Sequence, residues 1–563
     1  MTDTTSSWLA PDELRVGLGC MRLPPNTAGA TIAAAAGAGI TVFDTARAYE
    51  GNERLLAGAL RACGAHTRAR IVTKGGMSRA AGGWVPDGRA KAIRADCEAS
   101  LLDLDGLPID LYLIHAPDPR TPWRTSLRAL ARLVDDGLVR RVGVANVNRR
   151  ELDEALALAP VTAVQVALSL RDDHALRGGV LERCDEHGIA LVAHSPLGGP
   201  RAVGKLLRDE ALAAVAERRG ATPAEVALAW LLALSPAVVA IPGARRPETA
   251  RSAAHAATLD LDEDDLAALA PGSPRTTRRA SGAQVVLVMG IPGAGKSRLA
   301  DGYAARGFRR LNRDERGGSL RDLAAALDEE LAAGARELVL DNTYLTRAAR
   351  SYVVEAAARR GASLRCVWLD TPLAQAQVNL VERLLDRFGS LPSPEQLRAV
   401  RGEAGLLLPT SQMRTVRELE PPSLDEGFAA VEQVAFERAP SAGGPGVFVA
   451  AGALEEPEWR RVIREADPAV PHLVFDWAPD GPSPDSRPLA GEVAGPLESA
   501  VCPHPGGPPT CWCRPPLPGL PLAFARRHGV EPSRSILVGV SPAHRTLAAT
   551  LGARYVTPRA TTA

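Results

Sequence analysis

Residues 40–60 read ITVFDTARAYEGNERLLAGAL. A β-branched apolar run, Ile40–Asp44, ends on a carboxylate, and a phenol, Tyr49, follows in the adjoining loop. The same pattern recurs outward along the chain. Strand candidates are Arg15–Gly19, Ile40–Asp44, Ile71–Lys74, Asp110–His115, Arg141–Asn146, Ala163–Leu168, Ile189–Ser195 and Val238–Pro242. Ala/Leu/Arg-rich helices such as Asp87–Leu104 and Pro223–Leu234 lie between most of them. Continuous apolar strands, each followed by a helix, are covered on both faces and therefore parallel. Eight such units in about 250 residues predict a closed (β/α)₈ TIM barrel.

The chain is 563 residues long, which suggests roughly three to five domains. Pro/Gly/Ser/Arg-rich stretches at 271–283 (PGSPRTTRRASGA) and 437–446 (ERAPSAGGPG) read as linkers. They divide it into domains 1–270, 284–436 and 447–563. Strands at Gln284–Met289, Glu337–Asp341 and Leu364–Leu369 make the middle segment an open α/β sheet. The last segment shows one clear αβ unit, Leu520–Arg527 then Ser535–Val540, behind an irregular Pro/Gly/Cys stretch.

Net charge is +1, from 66 basic and 65 acidic residues, so no bulk electrostatic attraction to nucleic acid or membrane is expected. The start, MTDTTSSWLAPDELRVG, lacks a basic, then apolar signal pattern. Membrane spans are not expected either, because no apolar run reaches about 18 residues. Five cysteines are scattered and three crowd between 502 and 513, which fits a reducing cytoplasm with one local metal site.

In such a barrel, catalytic groups sit at the C-terminal ends of strands. Asp44, Tyr49, Lys74 (in IVTKGG) and His115 (in DLYLIHAPDP) would meet at one mouth. A carbonyl accepting hydride needs a proton on oxygen. A free Tyr, with pKa about 10, is a poor acid–base at neutral pH, and a nearby ammonium lowers that pKa. Asp44 would hold Lys74, and His115 would orient the carbonyl oxygen.

With FDTARAYEGNERLLAGAL, IVTKGG, DLYLIHAPDP, VGVANVN, VQVALS, HSPLGG and AIPGARRPE in place, residues 10–270 resemble the aldo-keto reductase superfamily. The resemblance implies Asp44, Tyr49, Lys74 and His115 as the catalytic tetrad, and NADPH or NADH as hydride donor. It implies Asn146 and Gln165 on the nicotinamide carboxamide, and His194 stacked on the ring. Ser195, Leu197 and Gly198 would touch pyrophosphate and ribose, and Arg246 the adenosine ribose phosphate. Departures are Ala145 for a common Ser, His194 for a common Tyr, and Ser252-Ala253 for a Glu-Asn pair near the adenine. The barrel is short of large loops, which implies an open pocket or one finished by another domain.

Residues 284–297, QVVLVMGIPGAGKS, run from an apolar strand into Gly290-x-x-x-x-Gly295-Lys296-Ser297 and a helix. This is a P-loop in its required context. Gly290, Gly293 and Gly295 let backbone N–H groups close on phosphate, Lys296 reaches the β/γ-phosphates of ATP, and Ser297 ligates Mg²⁺. LNRDERGG then carries Asp314, and ELVLDNTYLTRAAR carries Asp341. This order is similar to the kinase domain of polynucleotide 5′-kinases, across about 284–436. The resemblance implies Asp314 as base for a 5′-hydroxyl, Asp341 near the metal or phosphate donor, and Arg383 or Arg387 as a lid arginine.

Cys502, His504, Cys511 and Cys513 offer four ligands suited to tetrahedral structural Zn²⁺. The run CPHPGGPPTCWCRPPLPGL with ILVGVSPAHRTLAATLGARYV resembles the zinc-loop branch of HAD phosphatases, over about 447–557. Ala450 and Gly452 stand where the family's two nucleophile-strand aspartates belong, and VGVSPAH lacks the acidic motif's carboxylate. The domain thus reads as a zinc-stabilised phosphatase fold without phosphatase chemistry; Asp476 is the one nearby carboxylate considered. The expected whole is a carbonyl reductase joined to an ATP-dependent kinase acting on nucleic-acid ends. The rival expectation is a nucleic-acid binding or sensing module carrying an accessory reductase.

Overall fold

A computed structural model describes residues 8–80, 83–269, 282–400, 403, 405–436, 438, 442–479 and 481–558. It divides the chain into two compact units, Met1–Pro274 and Arg275–Ala563. Among the described residues, no helix is long and apolar enough to cross a membrane.

The first unit is the expected barrel. Its parallel strands are β1 (Leu18–Gly19), β2 (Val42–Asp44) and β3 (Arg70–Gly75), then, after a β4–β5 hairpin (Met77–Ala80, Gly83–Pro86), β6 (Ile109–Ile114). β7 (Arg141–Ala145), β8 (Val161–Ala167), β9 (Ala190–His194) and β10 (Val238–Ile241) complete it, in that sheet order with the hairpin apart. Gly17 N–H donates to Ala240 O at 2.8 Å and Gly19 N–H to Pro242 O at 3.0 Å, which joins the first strand to the last. Strand one is shorter than Arg15–Gly19: Val16 makes only an isolated bridge to Ala240, and Gly17 lies tight on β2, where a Cβ would be 2.9 Å from Val42.

Val42, Val72, Leu111, Ala163 and Val239 belong to one buried cluster with Trp8 and Leu9. Each such Val or Leu contributes about 1.5–3 kcal/mol of burial. The Trp8 indole donates to Asp110 Oδ2 at 2.7 Å, at the start of β6. The helix expected from Asp87 starts later, at Ala90, because Gly88 is held in a loop. Its N–H donates to Asp118 Oδ2 at 3.0 Å, and its carbonyl accepts from Ser126 Oγ at 2.6 Å.

The second unit holds two parallel five-stranded sheets. One comprises β11 (Gln284–Met289), β12 (Arg309–Asn312), β13 (Glu337–Asp341), β14 (Ser363–Asp370) and β15 (Ala430–Ala435), ordered β12-β13-β11-β14-β15. The sequence pattern does not announce β12 and β15. Both are edge strands whose charged, exposed residues blunt the apolar signal. The other sheet comprises β16 (Val447–Ala450), β17 (His472–Trp477), β18 (Leu497–Cys502), β19 (Ile536–Val538) and β20 (Arg554–Val556), ordered β18-β17-β16-β19-β20.

These two sheets share a core. Val381, Leu384 and Leu385 of helix Leu373–Phe388 cluster with Phe448, Phe475, Trp512 and Phe524. Most of the 271–283 linker lies outside the described residues, and buried Ala283 already accepts from Ser363 N–H at 2.9 Å. In the 437–446 linker, residues 437 and 439–441 lie outside them. Gly444 pairs with Val530, and Gly446 N–H donates to Ser535 Oγ at 3.0 Å.

Candidate active sites

Asp44 closes β2 and Lys74 sits one residue before the end of β3, so both reach the C-terminal mouth of the barrel. Both are buried. Lys74 Nζ donates to Asp44 Oδ1 and Oδ2 at 2.7 Å each and to Thr45 O at 2.9 Å. Three acceptors thus match its three protons. Burial opposes the ammonium, but Asp44 and Tyr49 outweigh it and hold the Lys74 pKa up. Gly75 makes this placement possible: a Cβ there would meet Tyr112 Oη at 1.8 Å.

Tyr49 and His115 complete the tetrad. Lys74 Nζ is 5.5 Å from the Tyr49 ring centroid, and the Tyr49 and His115 rings meet edge-on at 5.8 Å. Burial and the Lys74 charge push the His115 imidazole down to about 3, so it is neutral at physiological pH. Its buried Nδ1 has no protein partner among the described residues. The expected lowering of the Tyr49 pKa is corrected here. Burial outweighs Lys74 and leaves the phenol raised, so Tyr49 stands as a proton donor.

The implied cofactor residues gather at the same mouth. Gln165 Nε2 donates to Asp44 Oδ2 at 2.7 Å. Asn146, in left-handed backbone at φ 55°, donates from Nδ2 to His115 O at 2.9 Å. His194 Nε2 lies 3.1 Å from Asn146 Oδ1, and burial lowers its pKa. A neutral imidazole donating to that carbonyl fits both facts. Ser195 is exposed after β9, Leu197 packs partly on the core, and Gly198 caps helix Gly199–Leu206 at φ 80°. Arg246 is exposed where helix Pro247–Ala256 begins. Ser252 Oγ donates to Glu225 Oε1 at 2.8 Å, and Ala253 is buried, so that pair fastens helices.

At the barrel mouth, Trp84 escaped sequence reasoning. Trp84, on the β4–β5 hairpin, stands 6.0 Å from Tyr49 and 6.1 Å from His115, centroid to centroid, and is 43% exposed. An exposed Trp in a Gly-rich stretch between two barrel strands is the signal that could have found it.

The model of the Aldo/keto reductase family matches residues 15–271. Aldo-keto reductase str7 of Strobilurus tenacellus is 30% identical over 265 residues, which are 42% of this chain and 78% of that protein. The chain belongs to the aldo/keto reductase family. Among solved structures, the thermostable aldo-keto reductase Tm1743 in complex with the inhibitor epalrestat is 33% identical. That match covers 45% of this chain and 93% of the other, at TM-score 0.40. A Klebsiella pneumoniae aldo/keto reductase, in complex with NADP and acetate, is 29% identical over 45% and 89% of the two chains, at TM-score 0.41. The model of the AAA domain matches residues 285–402 of this aldo/keto reductase family member.

In that second segment, Gly293 stands at φ 86°, where a Cβ would lie 2.4 Å from Ala376 O. Three side chains that sequence reasoning missed hold the loop's carbonyls. Thr371 Oγ1 donates to Ala294 O at 3.0 Å, Asn379 Nδ2 to Gly293 O at 2.7 Å, and Gln412 Nε2 to Pro292 O at 3.2 Å. With its carbonyls turned away, the loop can turn N–H groups toward an anion.

Lys296 Nζ folds back onto Gly290 O at 3.0 Å and Ile291 O at 2.9 Å. Burial pushes its pKa down to about 8, with Arg383 adding to the effect and Asp341 opposing it. Ser297 is exposed beside it. Asp314 is exposed, its backbone N–H held by Asn312 Oδ1 at 2.7 Å. Asp341 is buried and accepts from Arg310 Nε and Nη2 at 2.8 Å each, so its carboxylate is engaged by a guanidinium. Arg383 lies against Gly405, while exposed Arg387 faces Glu403 at 3.6 Å.

In the last sheet, Cys502 ends β18 and the other three ligands follow in the loop. Sγ of Cys502 lies 3.6 Å from His504 Nδ1, 3.6 Å from Cys511 Sγ and 3.3 Å from Cys513 Sγ, and His504 Nδ1 lies 3.2 Å from Cys513 Sγ. With Zn–S about 2.3 Å and Zn–N about 2.05 Å, a tetrahedron has edges of about 3.5–3.8 Å. The observed separations lie within about 0.5 Å of these edges, so the four donors fit zinc with a small adjustment, and His504 presents Nδ1. Ala450 ends the central strand β16 and Gly452 follows it, with Asp476 one residue before the end of neighbouring β17.

Proposed function

We propose that the barrel reduces an aldehyde or ketone to the alcohol with NADPH. The observation that carries it is the convergence at one mouth of Tyr49, His115 and the buried Lys74–Asp44 pair. When bound, NADPH supplies the hydride to the carbonyl carbon. Tyr49 Oη delivers the proton to the carbonyl oxygen, so the products are an alcohol and NADP⁺. The Lys74 ammonium stabilises the phenolate left behind, and Asp44 keeps that charge in place. Neutral His115 orients the oxygen. Asn146 and Gln165 would hold the nicotinamide carboxamide, once their present partners yield. NADPH oxidation with a panel of simple aldehydes tests this. It should be lost in Tyr49→Phe, and no turnover and no cofactor binding in the native chain would overturn it.

For the second unit we infer an ATP–Mg²⁺ site at the P-loop that transfers phosphate to a 5′-hydroxyl polynucleotide end. Lys296 and Ser297 would hold the phosphates and metal, Asp314 would take the hydroxyl proton, and Arg383 supports the transferring group better than Arg387. One observation favours binding without transfer: the Asp341 carboxylate is occupied by Arg310. Labelled ATP with 5′-hydroxyl oligonucleotides separates the two. Transfer lost in Lys296→Ala and Asp314→Ala supports the kinase, whereas tight oligonucleotide binding without transfer supports a sensing module. The Cys/His cluster supports one structural Zn²⁺ in a phosphatase-like domain that lacks its carboxylates. None of the eight cysteines is in a disulfide, and a cytoplasmic setting is part of the proposal.

A further inference from the structure

A cavity of about 290 Å³ opens between the two sheets of the second unit. Gln375, Phe436 and Arg438 line one side, and Glu531, Ser533 and Thr550 line the other. The first three belong to the P-loop sheet and its helix. The last three belong to the layer built on the last sheet.

One lining residue sits beside the P-loop, and a second reaches it through Asn379. A Cβ at Gly295 would lie 3.8 Å from the Phe436 ring. Arg438 Nη2 donates to Asn379 Oδ1 at 2.7 Å, and Asn379 Nδ2 donates to Gly293 O at 2.7 Å. The cavity therefore begins beside the glycines that would hold phosphate. Its volume sits at the small end of the range for small-molecule sites. Its chemistry is mixed. Phe436 offers an aromatic ring, Arg438 a guanidinium paired with Glu382 at 2.9 Å, Gln375 an amide, and Glu531 a buried carboxylate that accepts from Ser533 Oγ at 2.8 Å and Ser533 N–H at 3.2 Å.

The geometry points to this cavity as the seat of the base and ribose of the nucleotide whose phosphates the P-loop holds. The last sheet then helps select that nucleotide. The inference rests on the P-loop reading above and extends it to residues far along the chain. The aromatic ring suits a purine face. Glu531 suits donors, such as an exocyclic amine or ribose hydroxyls. On this reading, a layer without phosphatase carboxylates keeps a role at a neighbouring site.

Calorimetric titration of the full-length chain, with Mg²⁺ present, tests it using two probes: ATP and inorganic tripolyphosphate. Ser533 is exposed, so Ser533→Trp puts an indole into the cavity without opening a core. ATP binding should weaken about tenfold or more, with tripolyphosphate binding unchanged. Phe436→Ala, from the opposite wall, should give the same split. Tripolyphosphate binding also reports that each variant is folded. If the native chain binds ATP and both variants bind it equally well, the inference is overturned and the P-loop reading stands. If the native chain binds neither probe, the P-loop reading fails and the inference falls with it.

Discussion

Removing the charge of Asp44 should damage both stability and catalysis, and a double-mutant cycle separates the two. Asp44 is 4% exposed and Lys74 1%. Asp44→Asn keeps the shape but leaves a buried ammonium facing an amide. Breaking a buried pair in this way costs about 3–5 kcal/mol. Lys74→Met should cost a similar amount, because the carboxylate would keep only Gln165 Nε2 among its present side-chain donors. The double variant Asp44→Asn/Lys74→Met should be less damaged than the sum of the singles, because no uncompensated charge remains. Hydrogen exchange at the β3 and β6 amides reads the barrel alone. Exchange should speed up roughly 10²- to 10⁴-fold in each single variant and less than additively in the double. Carbonyl reduction should be lost in all three. Single variants with native exchange rates, or additive effects in the double, would refute the coupled-pair account.

The His115 pKa, pushed down to about 3 from 6.5, sets a stability window. Between those values the unfolded chain binds a proton that the folded barrel refuses, so stability falls as pH drops through that range. His115→Gln should flatten the slope in an acid titration of barrel exchange. With the Tyr49 phenol raised, the reduction rate should stay level through neutral pH and decline only in strong alkali, as a pH–rate profile would show. Trp84→Ala should lower kcat/KM for aromatic aldehydes roughly 2- to 12-fold, and for short aliphatic ones less. Elemental analysis should find one zinc per chain. Cys511→Ser should remove it and lower the unfolding midpoint of the second unit.

The barrel was legible because its strands are mostly apolar runs, and Asp44, Lys74 and His115 stand at or beside the ends of three of them. Asp44 and Lys74 are readable as strand ends before any partner is known. The same local logic located Lys296 and the Cys/His cluster. It could not supply residues whose role depends on a distant partner. Thr371, Asn379 and Gln412 are ordinary polar residues until the loop's carbonyls come within reach. Arg310 looks like a solvated cation on an edge strand, yet it pairs with Asp341. The sign of the Tyr49 shift was missed for a related reason. Proximity to Lys74 is visible in the pattern, but the depth of burial opposing it is not.

The zinc-loop tryptophan has a broader consequence. Trp512 is 2% exposed, and its indole donates to Leu407 O at 2.8 Å, inside the core shared with helix Leu373–Phe388. Cutting the chain before β16 would strip the cover from Val381, Leu384 and Leu385, leaving an oily face on whatever remained. The last sheet is thus masonry for its neighbour, a wall whose weight is carried by apolar side chains and one indole hydrogen bond.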